Sequence, residues 1–114
     1  MKNRRSEKRR HLIYYLQVFN SETDQFLGNL VDITPEGLML TSERPIETGK
    51  NFKLRMNIQF LAQKEMHLDL NAESRWSSTD VNPNYFDTGF RLQDVDSETK
   101  LIIDHLIKEL GFND

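Results

Sequence analysis

The sequence predicts a mainly all-β domain: a six-stranded antiparallel β-barrel with a C-terminal α-helix and a flexible basic N-terminal arm. Three observations predict it. Six apolar segments, separated by short polar or Pro/Gly-containing turns, run between Leu12 and Leu92. One of them, Phe52–Phe60, alternates apolar and polar residues strictly, and Met66–Trp76 keeps the same period with Ser74 on the apolar parity, as strands with one wet face do. After Asp96 the apolar spacing becomes helical. Six one-sided strands left as an open sheet would expose long edges, whereas a closed barrel removes them.

Taken in order, residues 1–11 form the basic arm and residues 12–114 the barrel and its helix. Leu12–Phe19 is dense in Leu, Ile, Tyr, Val and Phe, a strand composition. Ser21–Gln25 is a polar turn, and Phe26–Ile33 a second strand with Gly28 marking a bulge or bend. Asp32-Ile33-Thr34-Pro35-Glu36-Gly37 breaks that strand. Proline presets one turn dihedral, Gly37 is suited to positive φ, and Asp32 and Thr34 can bond the turn's own backbone. Leu38–Leu40 is the third strand, and Glu43–Lys50 is a loop with Pro45 and Gly49. The two alternating strands follow, joined by a turn at Ala62–Lys64. Ser77–Asn84 is a loop, and Phe86, Thr88, Phe90 and Leu92 line one face of a sixth strand. Asp96 or Ser97 caps a helix of about residues 97–110 whose apolar positions are Leu101, Ile102, Ile103, Leu106, Ile107 and Leu110. Gly111 fits a left-handed cap and Phe112 its hydrophobic contact.

Composition excludes several classes. With no cysteine there is no disulfide, thiolate nucleophile or thiolate metal site. No apolar run is long enough to span a membrane and no signal-peptide pattern is present, so a cytoplasmic location without membrane insertion is expected. The charge is lopsided. Residues 1–11 hold six cations against one carboxylate, while the remainder holds nine cations against seventeen carboxylates. A basic, arginine-rich arm on an acidic body calls for an anionic partner, and a guanidinium fork matches phosphate oxygens and the Hoogsteen edge of guanine.

No nucleophile elbow or phosphate-cradling glycine loop is present, so no enzyme is expected. His67, between Glu65 and Asp69 on the wet parity of its strand, reads as part of a solvated polar face rather than a metal site. Trp76 lies on the apolar parity of the same strand. It reads first as a core residue, and second as a face on which a base or an arginine stacks.

Two separated patterns carry a resemblance: Arg5-x-x-x-Arg9 and, one hairpin later, Asp32-x-Thr34-x-x-Gly37. In this order the chain resembles the PilZ family of cyclic di-GMP receptors, whose pattern is RxxxR followed by (D/N)xSxxG. The resemblance implies a six-stranded barrel with a C-terminal helix. It also implies a non-catalytic receptor that needs no cofactor, binds cyclic di-GMP and signals to a protein partner the sequence does not name. The implied ligand-binding residues are Arg4, Arg5, Arg9, Asp32, Thr34, Gly37 and Trp76. Relatives with an arginine directly before RxxxR tend to bind two nucleotides per chain, and Arg4 fills that place. Thr34 departs from the pattern's serine: it keeps the hydroxyl but adds a methyl and stiffens χ1. One alternative is a module of the same fold that binds protein but not nucleotide. Another is a nucleic-acid-binding small barrel, which the acidic body disfavours, so no nucleic-acid partner is expected.

Overall fold

A computed structural model describes residues 16–59 and 65–110, the side chains of Gln59, Glu65, Met66 and Leu110 excepted. Leu12–Tyr15, the Ala62–Lys64 turn and the Gly111–Phe112 cap lie outside the described residues. The elements are β1 (Gln17–Asn20), β2 (Gln25–Thr34), β3 (Gly37–Ser42), β4 (Asn51–Gln59), β5 (Glu65–Thr79), β6 (Phe86–Gln93) and α1 (Ser97–Leu110). The strands close into an antiparallel barrel in the order β1-β2-β3-β6-β5-β4, with β1 pairing to β4. The expected fold class is therefore the observed one.

The β4–β5 hairpin shows why. Its ladder runs without a shift from Asn51↔Glu73 to Gln59↔Glu65. Every second residue consequently faces inward: Leu54, Met56 and Ile58 on β4, and Leu68, Leu70 and Ala72 on β5, are all buried. Val18, Leu30, Ile33, Leu38, Leu40, Phe90 and Leu92 complete the wall of the core. Phe52 packs edge-on against Phe90 at a centroid distance of 5.7 Å. Each such side chain contributes about 1.5–3 kcal/mol by leaving water.

Helix α1 adds Ile103 and Leu106 to this core and rests against β2. Its N-terminus is capped by Asp96, whose carboxylate accepts the Thr99 amide N–H at 2.8 Å. That bond holds the Asp96 carboxyl below the usual range. The apolar stripe is narrower than the sequence predicts. Leu101 is 70% exposed, because the helix turns Ile103 and Leu106 inward and flanks them with half-buried Ile102 and Ile107.

Two strands are longer than expected. β3 runs on to Ser42 and β5 to Thr79, because each finds a partner along β6, ending at Ser42↔Phe86 and Thr79↔Phe86. Ser74, fully buried, anchors the β3–β4 loop. Its hydroxyl donates to the Glu47 carbonyl at 2.6 Å and accepts the Lys50 N–H at 3.1 Å. The expected bulge beside Gly28 is present: pairing passes from Val18↔Gly28 to Phe19↔Phe26, leaving Leu27 as the extra residue.

Candidate functional site

Strict alternation along β2 would place Asp32 on the inward parity of Leu30. The ladder instead passes from Leu30↔Leu40 to Asp32↔Met39, so Val31 is an extra, bulged residue. The bulge moves Asp32 to the outer face, half-buried, and returns Ile33 to the core. It spares the barrel an unpaired carboxylate in its interior. The Asp32 side chain accepts the Ile33 N–H at 2.9 Å, which leaves lone pairs on the carboxylate for another donor.

The β2–β3 turn has Pro35 and Glu36 at its tip and closes at Thr34↔Gly37. The Thr34 Oγ1 accepts the N–H groups of Glu36 and Gly37, both at 3.2 Å, and its hydroxyl approaches the Gly37 carbonyl at 3.4 Å. The threonine hydroxyl is thus the turn's internal brace. The expected positive φ at Gly37 is not found; among the described glycines only Gly49 has one. Gly37 is the first residue of β3, and its missing side chain serves a close approach. A Cβ there would stand 2.6 Å from the Phe90 carbonyl oxygen of β6.

A second bulge corrects the first reading of Trp76. Pairing of β5 with β6 passes from Ser74↔Phe90 to Trp76↔Gly89, so Arg75 is the extra residue. Parity inverts there. Ser74 stays buried, while Trp76 turns outward and is 47% exposed instead of entering the core. Its indole lies on the β6 backbone at Gly89: a Cβ on Gly89 would collide with Trp76 Nε1 and Cε2. One ring face rests on the strand, and the exposure leaves the indole open to a flat partner.

The two bulges put their residues in one line. Asp32 pairs with Met39, Met39 with Gly89, and Gly89 with Trp76, a lateral row across β2, β3, β6 and β5. Three strand spacings set the two ends roughly 14 Å apart. The adjacent row runs Thr34, Gly37, Arg91, Glu73. On the other side of the first row, Asp87 stands between Thr41 and Ser78. Its carboxyl is pushed up to about 6, by partial burial first and by hydrogen bonding and repulsion from Asp80 next, against a smaller opposing effect of the Thr41 hydroxyl.

Arg4, Arg5 and Arg9 lie outside the described residues. The place where their segment joins the barrel is described. The carbonyl of Leu16 accepts the Leu30 N–H at 2.8 Å, two residues from Asp32. Of the remaining expected site residues, Asp32, Thr34, Gly37 and Trp76 share one outer wall. His67 is exposed, and the neighbouring Asp69 carboxylate is held by Arg55 at 3.0 Å. Among the described residues no three His, Asp or Glu side chains gather as metal ligands would. The sequence reading missed Gly89 as the seat of the indole. Its place inside a strand was the available signal, since an interior glycine often marks a close approach.

Fold and wall together define a class: small antiparallel β-barrels whose candidate site is an outer-wall strip of carboxylate, braced hairpin turn and indole. Residues 3–109 match the model of the PilZ domain, and the chain belongs to the PilZ domain family. The family is one of receptor and effector domains of the cyclic di-GMP-binding type, generally non-catalytic. Among solved structures the chain is similar to the inhibitor of motility MotI/DgrA of Bacillus subtilis, with a TM-score of 0.69 at 10% identity. The match covers 89% of this chain and 49% of that one, so this chain spans about half the length of its neighbour. At that identity the likeness speaks for the fold alone. No curated protein matches the chain. No helix among the described residues is long and apolar enough to cross a membrane.

Proposed function

We propose that this chain is a non-catalytic receptor for cyclic di-GMP that folds its arginine arm over the ligand and presents the altered surface to a protein partner. The observation that carries the reading is the Asp32–Met39–Gly89–Trp76 row beside the Thr34–Gly37 turn. The row has an exposed ring on which a guanine stacks at one end and a carboxylate that accepts guanine N–H donors at the other. The arm supplies the phosphate forks. Leu16 lies seven positions after Arg9, a reach of up to about 24 Å, enough to bring the Arg9 guanidinium over the row. Ordering the arm on the ligand is the disorder-to-order switch that changes the surface.

Calorimetric titration with cyclic di-GMP tests the reading, with GTP and short oligonucleotides as controls. The expected result is saturable binding of cyclic di-GMP alone, at two nucleotides per chain. Arg5→Ala and Arg9→Ala each lose on the order of 1.5–3 kcal/mol of binding, as for a lost charged hydrogen bond. Arg4→Ala lowers the stoichiometry toward one, because it removes the third fork that offsets repulsion among four phosphates. No binding by the parent chain, or unchanged affinity in both arm variants, overturns the proposal.

A further inference from the structure

Strands β2, β3 and β6 carry three charged residues between them: Asp32, Asp87 and Arg91. The cation sits at an exposed position of the candidate wall. Arg91 is exposed and pairs with Gly37 on one side and Glu73 on the other. Gly37 has no side chain to cover it. Two residues back along β6, on the same outer face, lies Gly89 with the Trp76 indole upon it. The next backbone amide, that of Leu92, donates to the Glu36 carbonyl at 2.9 Å, which ties this part of β6 to the Thr34–Gly37 turn.

The ordinary reading of such an arginine is a counter-ion for the glutamate opposite. The geometry does not favour it. Glu73 takes Arg75 at 3.4 Å, and among the described residues the Arg91 guanidinium has no ion pair. With Glu73 and Arg75 engaged to each other, the remaining outward charges of this wall and turn besides Arg91, namely Asp32, Glu36 and Asp87, would repel an anion.

We propose that Arg91 supplies a barrel-borne guanidinium fork to a phosphate of the nucleotide bound on this wall. The inference rests on the cyclic di-GMP reading and extends it to a residue outside both sequence patterns. On the cyclic di-GMP reading the arm folds over the ligand as it binds, at a conformational cost for each residue fixed. Arg91 stands on a strand paired on both sides, so its backbone is already in place. It would take the first phosphate and lower the cost of folding the arm over it.

The test is calorimetric titration of the parent, Arg91→Ala, Arg91→Lys and Glu73→Gln with cyclic di-GMP at several salt concentrations, with thermal melts of each. Arg91→Ala is expected to bind about 10- to 100-fold more weakly, the effect of one lost charged hydrogen-bond pair. The slope of log Kd against log salt concentration should fall by about one, as for a lost phosphate contact. Its melting temperature should stay at the parent value. Arg91→Lys should fall between parent and alanine, since an ammonium still meets a phosphate as a point charge. Glu73→Gln should bind as well as the parent or better, because it removes a competing carboxylate. Parent-like affinity in Arg91→Ala overturns the proposal while the receptor reading stands. Arg91→Lys as weak as alanine overturns the phosphate assignment in favour of a guanine edge. A parent chain that binds no cyclic di-GMP overturns both readings.

Discussion

The β4–β5 hairpin and the β2–β3–β6 wall are built from similar strands, but only the first keeps its register. β4 and β5 pair without interruption from Asn51↔Glu73 to Gln59↔Glu65. The other wall slips once at Val31 and, where β5 joins β6, again at Arg75. In the regular hairpin each inward position is apolar, and the outer face holds such residues as the Arg55–Asp69 pair at 3.0 Å. In the bulged wall a carboxylate and an indole, both on inward parity by simple alternation, are delivered to the outside. The regular half makes the barrel stable, and the irregular half gives it a surface with chemistry.

The largest effect expected from this division falls on the regular half. Leu54 is fully buried, so Leu54→Ala should cost about 2–5 kcal/mol of stability in chemical denaturation. The fraction that remains folded should bind ligand as the parent does. A parallel loss of affinity would break the division between the walls.

Next comes the indole. Trp76→Ala should weaken cyclic di-GMP binding by about 1–3 kcal/mol, the range for one stacked base. Gly89→Ala should reproduce most of that loss, because a methyl there displaces the ring from its seat. The chain has one tryptophan, so its fluorescence reports the displacement directly. An unchanged emission spectrum and unchanged affinity in Gly89→Ala would show that the seat does not matter.

A smaller effect belongs to the turn. Thr34→Val should cost about 1 kcal/mol of stability, since it leaves the Glu36 and Gly37 amides without their side-chain acceptor. Ligand binding should weaken with it. Thr34→Ser keeps the oxygen and should match the parent in thermal melts and bind as well or better. If valine matches the parent in both measurements, the hydroxyl braces nothing.

The smallest effect is a pH dependence beside the row. Asp87 has its carboxyl raised from 3.8 to about 6 in the folded chain. An acid that holds its proton more tightly when folded stabilises the fold fully below the lower value. That stabilisation is lost as pH rises through the upper one. Asp87→Asn should therefore be more stable than the parent at pH 7, by up to about 1 kcal/mol once solvent screening of this partly exposed group is allowed for. The advantage should vanish below about pH 4. Melting curves of both proteins across that range check the sign; a constant difference would mean that Asp87 does not titrate as described.

By itself the sequence determined the strand count, the barrel and the capped helix. Period-two alternation in Phe52–Ile58 and Leu68–Ala72 is a local pattern that solvent enforces on every second side chain. It also determined which residue types stand at the Asp32–Gly37 turn, because proline and side-chain oxygens act on their own neighbours. Only the tertiary structure decided which way Asp32 and Trp76 face, and that the strand glycine Gly89 is the seat of the indole. A bulge is one residue gained against a partner strand, so it exists only in the pairing. Val31 and Arg75 carry no mark of it in the sequence. The same holds for Arg91. Its position opposite Gly37 follows from β3 pairing with β6 across some fifty residues of chain, a contact set by barrel closure and not by any local preference.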